Sequence, residues 1–198
     1  MIILSILFFV TALIYSSVGF GGGSTYLAIL LIWGVPYTIF PVIALVCNII
    51  VVSGNSINFL RSKNINFNLL FPYLIGSIPF AFIGGSITIE KSLFEILLFC
   101  VLFVAGIFLL IESKSFNKEQ IKINKIPRLI SISIGSIIGF MSGLVGIGGG
   151  IFLSPLLFLM KAGYPKHITS SASLFILINS IFGIAGQLTK DQVLDQVI

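Results

Sequence analysis

The chain has 198 residues, of which 57% are hydrophobic and 9% are charged, and its formal net charge is +5. An ordinary soluble domain carries about 25% charged residues, so a water-soluble globule of this composition would expose far too much apolar surface. The mean hydropathy of +1.17 agrees with this exclusion. The basic residues cluster between apolar runs, which is typical of loops beside anionic lipid rather than of a nucleic-acid-binding surface.

Long charge-free runs define the class of protein. No charged residue precedes Arg61, and further runs without charge cover 64–89, 96–111, 129–160 and 168–189. A helix needs roughly 20 apolar residues to span the hydrocarbon core of a bilayer. The runs therefore predict an all-α, polytopic helical protein of the cell membrane, with about six transmembrane segments.

The first 60 residues would form about 90 Å of continuous helix at 1.5 Å per residue, so they must fold back. The proline in WGVPY, at 33–37, favours a turn there. Whether residues 1–33 cross the membrane once or re-enter is left open by the sequence. The predicted segments are 1–33, 38–60, 66–88, 93–111, 129–160 and 167–188.

The basic loops predict the orientation in the membrane. The loops 61–66 and 112–128 lie two spans apart and together hold seven Lys and Arg residues, against one, Lys91, in the loop between them. Basic residues accumulate in cytoplasmic loops. Both loops are therefore expected in the cytoplasm.

A glycine-rich motif occurs twice. VGFGGG at 18–23 recurs as VGIGGG at 145–150, and the GVP of residues 34–36 recurs as the GYP of residues 163–165. In the helices that follow, Gly54 aligns with Gly183 and Asn58 with Gln187. The pattern predicts an internal duplication, in which each unit has a glycine-broken helix, a proline-containing turn and a helix with polar residues.

The duplication suggests a division of the chain into three parts. Residues 1–111 form the first membrane repeat with four spans, 112–128 a basic cytoplasmic connector, and 129–198 a second repeat with two spans and a tail. The second repeat is expected to be incomplete, because nothing in it matches the last two spans of the first.

The two glycine breaks predict a binding site. Backbone groups cannot stay unpaired in lipid, so a broken helix must line a cavity, and paired breaks in two repeats indicate a transporter site. Each helix restart offers free N–H groups and the positive end of its dipole, which suit an oxyanion. The alternative is that the glycines only permit close helix packing. The predicted substrate-binding residues are Gly19, Gly21, Gly22, Gly23, Ser24, Thr25, Gly146, Gly148, Gly149, Gly150, Ser171 and Ser173.

Polar side chains in the second helix of each unit are candidates for lining the pathway. Buried amides in membrane helices either line a path or bond between helices, and both interpretations stay open for each residue. The predicted pathway-lining residues are Asn48, Asn55, Asn58, Asn179 and Gln187.

The paired GxGGG motifs, the GxP turns and the helix SASLFILIN at 171–179 resemble the TauE/SafE sulfite-exporter family of membrane transporters. The resemblance extends over essentially the whole chain. Members are usually about two spans longer, so it implies a C-terminally shortened chain. It also implies transport of a small inorganic or organosulfur anion of the sulfite or organosulfonate class. The alternative is a non-transporting accessory or degenerate subunit that acts with a partner, and a homo-oligomer is also compatible with the sequence.

Residues for catalysis or cofactor binding are missing from the predicted spans. They contain no His cluster, Asp pair or Ser–His spacing, so we expect neither an enzyme, nor a metal site, nor a cofactor. Cys47 and Cys100 lie in apolar runs and are expected to be reduced and buried. No Asp or Glu lies deep in a span, which favours potential-driven anion export over acid-coupled uptake.

Overall fold

The computed structural model describes residues 2–112 and 123–190, and within these ranges it contains helices and no strand. This confirms the predicted all-α fold class. A short 3₁₀ turn, Tyr37–Ile39, precedes the third helix. The helices are α1 (Ile2–Val18), α2 (Gly23–Ile32), α3 (Phe40–Arg61), α4 (Phe67–Ser86), α5 (Lys91–Glu112), α6 (Arg128–Val145), α7 (Gly150–Leu159) and α8 (Pro165–Gln187).

Four of the described helices, α3, α4, α6 and α8, are long and apolar enough to cross a membrane, and α1, α2 and α7 are shorter apolar helices. Helix α5 has 22 residues and contains the predicted span 93–111. These lengths agree with a polytopic membrane protein. Residues 113–122 of the predicted connector and 191–198 of the predicted tail lie outside the described residues.

The first glycine break turns the chain back on itself. Gly19 and Gly22 have φ angles of +88° and +84°, a left-handed conformation that favours glycine. The Tyr15 hydroxyl and the Thr25 Oγ1 atom, on opposite sides of the break, are 2.8 Å apart. The rings of Phe8 and Tyr26 are 4.9 Å apart, so α2 runs back along α1. Residues 2–32 thus form a helical hairpin around the break rather than one continuous helix.

The second break has two left-handed glycines at the equivalent positions and a third at Gly148, whose φ is +84°. Gly146 and Gly149 have φ angles of +90° and +79°. The Asn124 N–H, just before α6, donates to the Lys161 carbonyl, just after α7, at 3.0 Å. The predicted segment 129–160 is therefore two helices that form a second hairpin. Helices α2 and α7 have ten residues each, although the division into 1–111, 112–128 and 129–198 stays a prediction.

The two hairpins enter the bundle from opposite ends. A Cβ atom at Gly19 would lie 3.4 Å from the ring of Phe59, near the end of α3. Gly146 instead lies against Pro41, at the start of α3. The hydroxyl of Ser170, early in α8, donates to the Asn64 carbonyl, just after α3, at 2.8 Å. Helices α3 and α8 are therefore antiparallel, as expected for an inverted repeat.

Helix α4 holds the second repeat against the first. It packs along α6 and α8 through glycines that allow backbone contact: Gly76 lies against the Ile132 carbonyl and Gly84 against the Phe140 carbonyl. Gly139 of α6 in turn lies against Ser77. Small residues at such spacing let membrane helices approach closely, so α4 is in backbone contact with the second hairpin and with α8.

The two cysteines are free thiols, but the expectation that both are buried is wrong for Cys100, which is exposed. Helix α5 buries Phe94, Leu98 and Val101 at helical spacing, and Cys100 lies on another face. Cys47 is half-buried.

Candidate functional site

The two glycine breaks meet at Asn48, a side chain of α3 with no exposed surface. Its Nδ2 donates to the Ile147 carbonyl in the second break at 3.0 Å. Its Oδ1 lies against Gly21 in the first break. A Cβ atom at Gly23 would lie 2.6 Å from the Ile147 carbonyl oxygen. The breaks are therefore in direct contact, and only glycine fits between them.

Each short helix begins with unpaired amides. The N–H groups of Thr25 and Tyr26 donate to the Gly22 carbonyl, both at 3.0 Å. Within the described part of the chain, no hydrogen bond reaches the N–H groups of Gly23 and Ser24. The start of α7 repeats this pattern with Gly149 as the acceptor. A helix N-terminus of this kind carries roughly half a positive charge.

A cavity of about 410 Å³, here called the central cavity, lies beside the first break. It extends from the meeting point of the breaks along α7 and the first half of α8. None of its lining residues is charged, and most of its wall is apolar. It is lined by Tyr15, Val18, Phe20, Gly21, Gly22, Gly23, Ser24, Ile147, Gly150, Ile151, Ser154, Pro155, Phe158, Thr169 and Ile176.

A second cavity of about 330 Å³, here called the vestibule, shares Val18 and Thr169 with the central cavity. It is lined by polar groups that include Ser16, Asn55 and the basic Lys166. The two cavities therefore lie next to each other between the Lys166 end of the bundle and the meeting point of the breaks, and this region is here called the path.

The opposite end of the bundle is packed. Tyr26, Leu27, Phe40 and Val145 each expose at most 1% of their surface and belong to one hydrophobic cluster. Beyond this cluster, a cavity of only about 20 Å³ is lined by Gln187 and Lys190, among others.

The ammonium group of Lys190 donates to the Gln187 Oε1 atom at 2.9 Å. Burial lowers the pKa of Lys190 to about 8, because desolvation disfavours the charged form. Among the described residues, this end therefore carries a cation beside a cavity of only about 20 Å³.

Seven of the predicted substrate-binding residues lie at or beside the path. Gly21, Gly22, Gly23, Ser24 and Gly150 line the central cavity. Gly19 lines the vestibule, and the Thr25 hydroxyl contacts that of the cavity residue Tyr15.

The other five lie in packed regions. Gly146 lies against Pro41, and a Cβ atom at Gly149 would lie 2.8 Å from Ile138. Gly148 lies between Asn48, Ile176 and Ser180. The Ser173 hydroxyl is 3.2 Å from that of Ser56. The Ser171 hydroxyl is buried and has no partner among the described residues.

The predicted pathway residues are spread over the bundle. Asn48 joins the breaks, and Asn55 lines the vestibule, where its Nδ2 donates to the Ser16 carbonyl at 2.8 Å. Gln187 donates to the Gly143 carbonyl at 2.7 Å at the packed end. Asn179 is fully buried, with no amide partner among the described residues. Asn58 is exposed.

Sequence reasoning missed Tyr15, Ser154 and Thr169, the polar residues that complete the cavity wall. Thr169 and Ile176 are seven residues apart and share a face of α8, because seven residues make about two helical turns. The sequence alone does not distinguish this face from that of Ser171, because apolar residues surround both.

The described helices define a polytopic membrane protein with two oppositely directed, glycine-broken helical hairpins, and inverted repeats with broken helices are typical of secondary transporters. Residues 4–197 match the profile of the family described as sulfite exporter TauE/SafE. The chain belongs to this family, which confirms the resemblance of its motifs.

Its relatives are named as transporters. A "probable membrane transporter protein" of Sinorhizobium fredii is 31% identical over 185 residues, which are 92% of this chain and 74% of that protein. One of Methanocaldococcus jannaschii is 29% identical over 199 residues, 96% of this chain and 73% of that protein.

A shorter match links the chain to a plant protein. "Sulfite exporter TauE/SafE family protein 5" of Arabidopsis thaliana is 34% identical over 64 residues, 32% of this chain and 14% of that protein. No solved structure matches the chain significantly. Because the family and the named relatives are membrane transporters, the protein is a membrane transporter and not an enzyme.

Proposed function

We propose that the protein exports a small sulfur-containing anion, of the sulfite or organosulfonate class, and that the anion binds in the central cavity at the start of α2. The unpaired N–H groups of Gly23 and Ser24, in the wall of a cavity at the meeting point of both breaks, carry this proposal. Helix N-termini bind oxyanions through such amides and through the helix dipole.

The surroundings of these amides favour a compact anionic group with an organic body. Ser24 and Tyr15 add hydroxyls to these amides, and Ser154 and Thr169 are further polar residues of the wall. Ile151, Pro155 and Phe158 of α7 supply an apolar wall. A water molecule occupies about 30 Å³ in the liquid, so four-atom sulfite fills only a small part of about 410 Å³. The cavity therefore has room for an organosulfonate.

The charge distribution of the chain supports export. No Asp or Glu occurs in residues 1–89 or 129–190, and proton- or sodium-coupled carriers usually keep an embedded carboxylate. An inside-negative potential of 100 mV drives one negative charge outward with about 2.3 kcal/mol. The membrane potential alone is therefore a sufficient driving force.

Flux in liposomes tests the function. We expect radiolabelled sulfite or sulfoacetate to leave liposomes that contain the protein, faster at an inside-negative clamped potential than at zero potential. Sulfate and protein-free liposomes serve as comparisons. Proton or sodium flux locked to that of the anion would contradict the export mechanism. Absence of flux for every sulfur anion would contradict the substrate class.

The distribution of basic residues supports a cytoplasmic position for the Lys166 end. Among the described residues, Arg61, Lys63, Lys125, Arg128, Lys161 and Lys166 lie near this end, against Lys91 and Lys190 near the other. The hydrogen bonds Ser170–Asn64 and Asn124–Lys161 bring their loops together. We therefore infer from the positive-inside rule that the vestibule mouth faces the cytoplasm.

Cysteine labelling on intact cells tests this topology. In a Cys47→Ser/Cys100→Ser background, we expect Lys91→Cys to react with a membrane-impermeant thiol reagent and Lys63→Cys to react only after permeabilisation. The reverse pattern would place the vestibule on the outer side and would contradict the proposed orientation.

A further inference from the structure

The sequence repeat relates two sets of residues from the breaks, which together form the floor of the central cavity. Corresponding positions of the breaks and short helices are 127 residues apart, and positions after the GxP turns are 129 apart. Three residues of the first break thus correspond to three of the second, and all six line the central cavity. The pairs are Phe20 with Ile147, Gly23 with Gly150, and Ser24 with Ile151. The floor is therefore built from equivalent parts of both repeats.

Part of the remaining cavity wall has counterparts that are packed shut, although Leu31, the counterpart of Phe158, is exposed. Three wall residues from α1, α7 and α8 correspond to residues that expose at most 1% of their surface and lie in one hydrophobic cluster. The pairs are Val18 with Val145, Ser154 with Leu27, and Thr169 with Phe40. The repeat thus defines a second wall on the opposite side of the same floor, closed in this structure.

Ser142 points to a state in which the second wall meets water. It is the counterpart of the cavity residue Tyr15. Its side chain is 1% exposed and its hydroxyl has no partner among the described residues. A buried, unpaired hydroxyl is destabilising, and hydration in an open state would remove this penalty.

Two basic residues occupy equivalent positions at the two ends of the bundle. Lys190, beyond the packed cluster, is the counterpart of Arg61, at the open end. An anion that leaves past the second wall would therefore meet a cation, as it does at the vestibule end.

We propose that the protein has a second access path, lined by Leu27, Phe40, Cys47, Ser142 and Val145, which opens when the path past Phe158 closes. This inference rests on the proposed transport function. In the structure, α2 packs on Phe40 and Val145, while α7 borders an open cavity. When α2 borders an open cavity and α7 is packed instead, the same floor is exposed to the other side of the membrane.

Cys47 provides a native reporter for the second path. It is the counterpart of Ile176, which lines the open cavity, and it packs against the closed cluster. In a Cys100→Ser variant, we expect an impermeant thiol reagent to modify Cys47 from the Lys190 side. A saturating concentration of the transported anion should change the rate of Cys47 modification about tenfold. The reason is that anion binding shifts the populations of a minor and a major conformation. Ser142→Cys in the cysteine-free background is the second reporter for the same path.

Ile176→Cys in the cysteine-free background is the matched control. It should react from the Lys166 side, and the anion should change its rate in the direction opposite to that of Cys47. Flux is measured on the same vesicles. If flux is normal but Cys47 and Ser142→Cys never react from the Lys190 side, the second path is wrong and the proposed function stands. If flux is absent for all sulfur anions, both are wrong.

Discussion

Replacement of Gly23 by alanine is expected to reduce anion flux by about 100-fold or more, while the protein still inserts and folds. The added Cβ atom would lie 2.6 Å from the Ile147 carbonyl oxygen and 2.7 Å from the Asn48 Nδ2 atom. Both groups belong to the contact between the breaks, so the breaks must move apart. A displacement near 1 Å at a site of this kind can cost about 100-fold in rate. Flux in liposomes is the measurement.

Gly54→Ala is the matched control for this variant. Gly54 lies in α3, and a Cβ atom there would meet nothing within 4 Å. Alanine is favoured over glycine in a helix interior by about 1 kcal/mol, so this variant should transport like the wild type and be at least as stable. A Gly23→Ala protein with more than half of the wild-type flux would contradict the role assigned to the break contact.

Asn48→Leu is expected to lower both transport and stability. The substitution removes the bond from Asn48 Nδ2 to the Ile147 carbonyl and leaves that carbonyl without its partner. An unsatisfied buried acceptor costs about 1–3 kcal/mol, which should lower the melting temperature in detergent by several degrees. Flux should fall by at least about tenfold, because the second break loses its anchor on α3.

Asn68→Leu controls for the change in side-chain chemistry. Asn68 is exposed near the start of α4, so its replacement should leave flux and melting temperature unchanged. If the Asn48→Leu protein had the same melting temperature and flux as the Asn68→Leu protein, Asn48 would have no role in anchoring the second break.

The sequence was sufficient to predict the class of protein and the positions of the two helix breaks. Charge-free runs predict membrane helices because charged side chains are costly in lipid. The motifs VGFGGG and VGIGGG predicted interruptions, and Gly19, Gly22, Gly146 and Gly149 have the positive φ angles that require glycine. These features depend on local chemistry, which a sequence displays directly.

The direction that the chain takes after each break could not be predicted from the sequence. A glycine break permits either a single crossing or a re-entrant hairpin. The choice depends on contacts distant in sequence, such as the bond between Asn124 and Lys161. The opposite orientation of the two hairpins follows from this choice, so the sequence could not establish it.

The inward faces of the helices were also hard to predict. Lipid-facing and core-facing residues are both apolar in a membrane bundle, so periodicity gives little indication of the buried face. Asn48 and Asn58 lie on the same helix and look alike in the sequence. Only the first is buried, and the second is exposed. Thr169 and Ser171 were indistinguishable for the same reason.

Equilibrium binding to the purified protein shows whether the anion binds where the two breaks meet. Radiolabelled sulfite and sulfoacetate are titrated onto wild-type, Gly23→Ala and Gly54→Ala proteins in detergent, where no membrane potential acts. We expect saturable binding of at least one anion to the wild-type and Gly54→Ala proteins, and loss of that binding in Gly23→Ala. Equal binding by Gly23→Ala and the wild type would contradict this expectation.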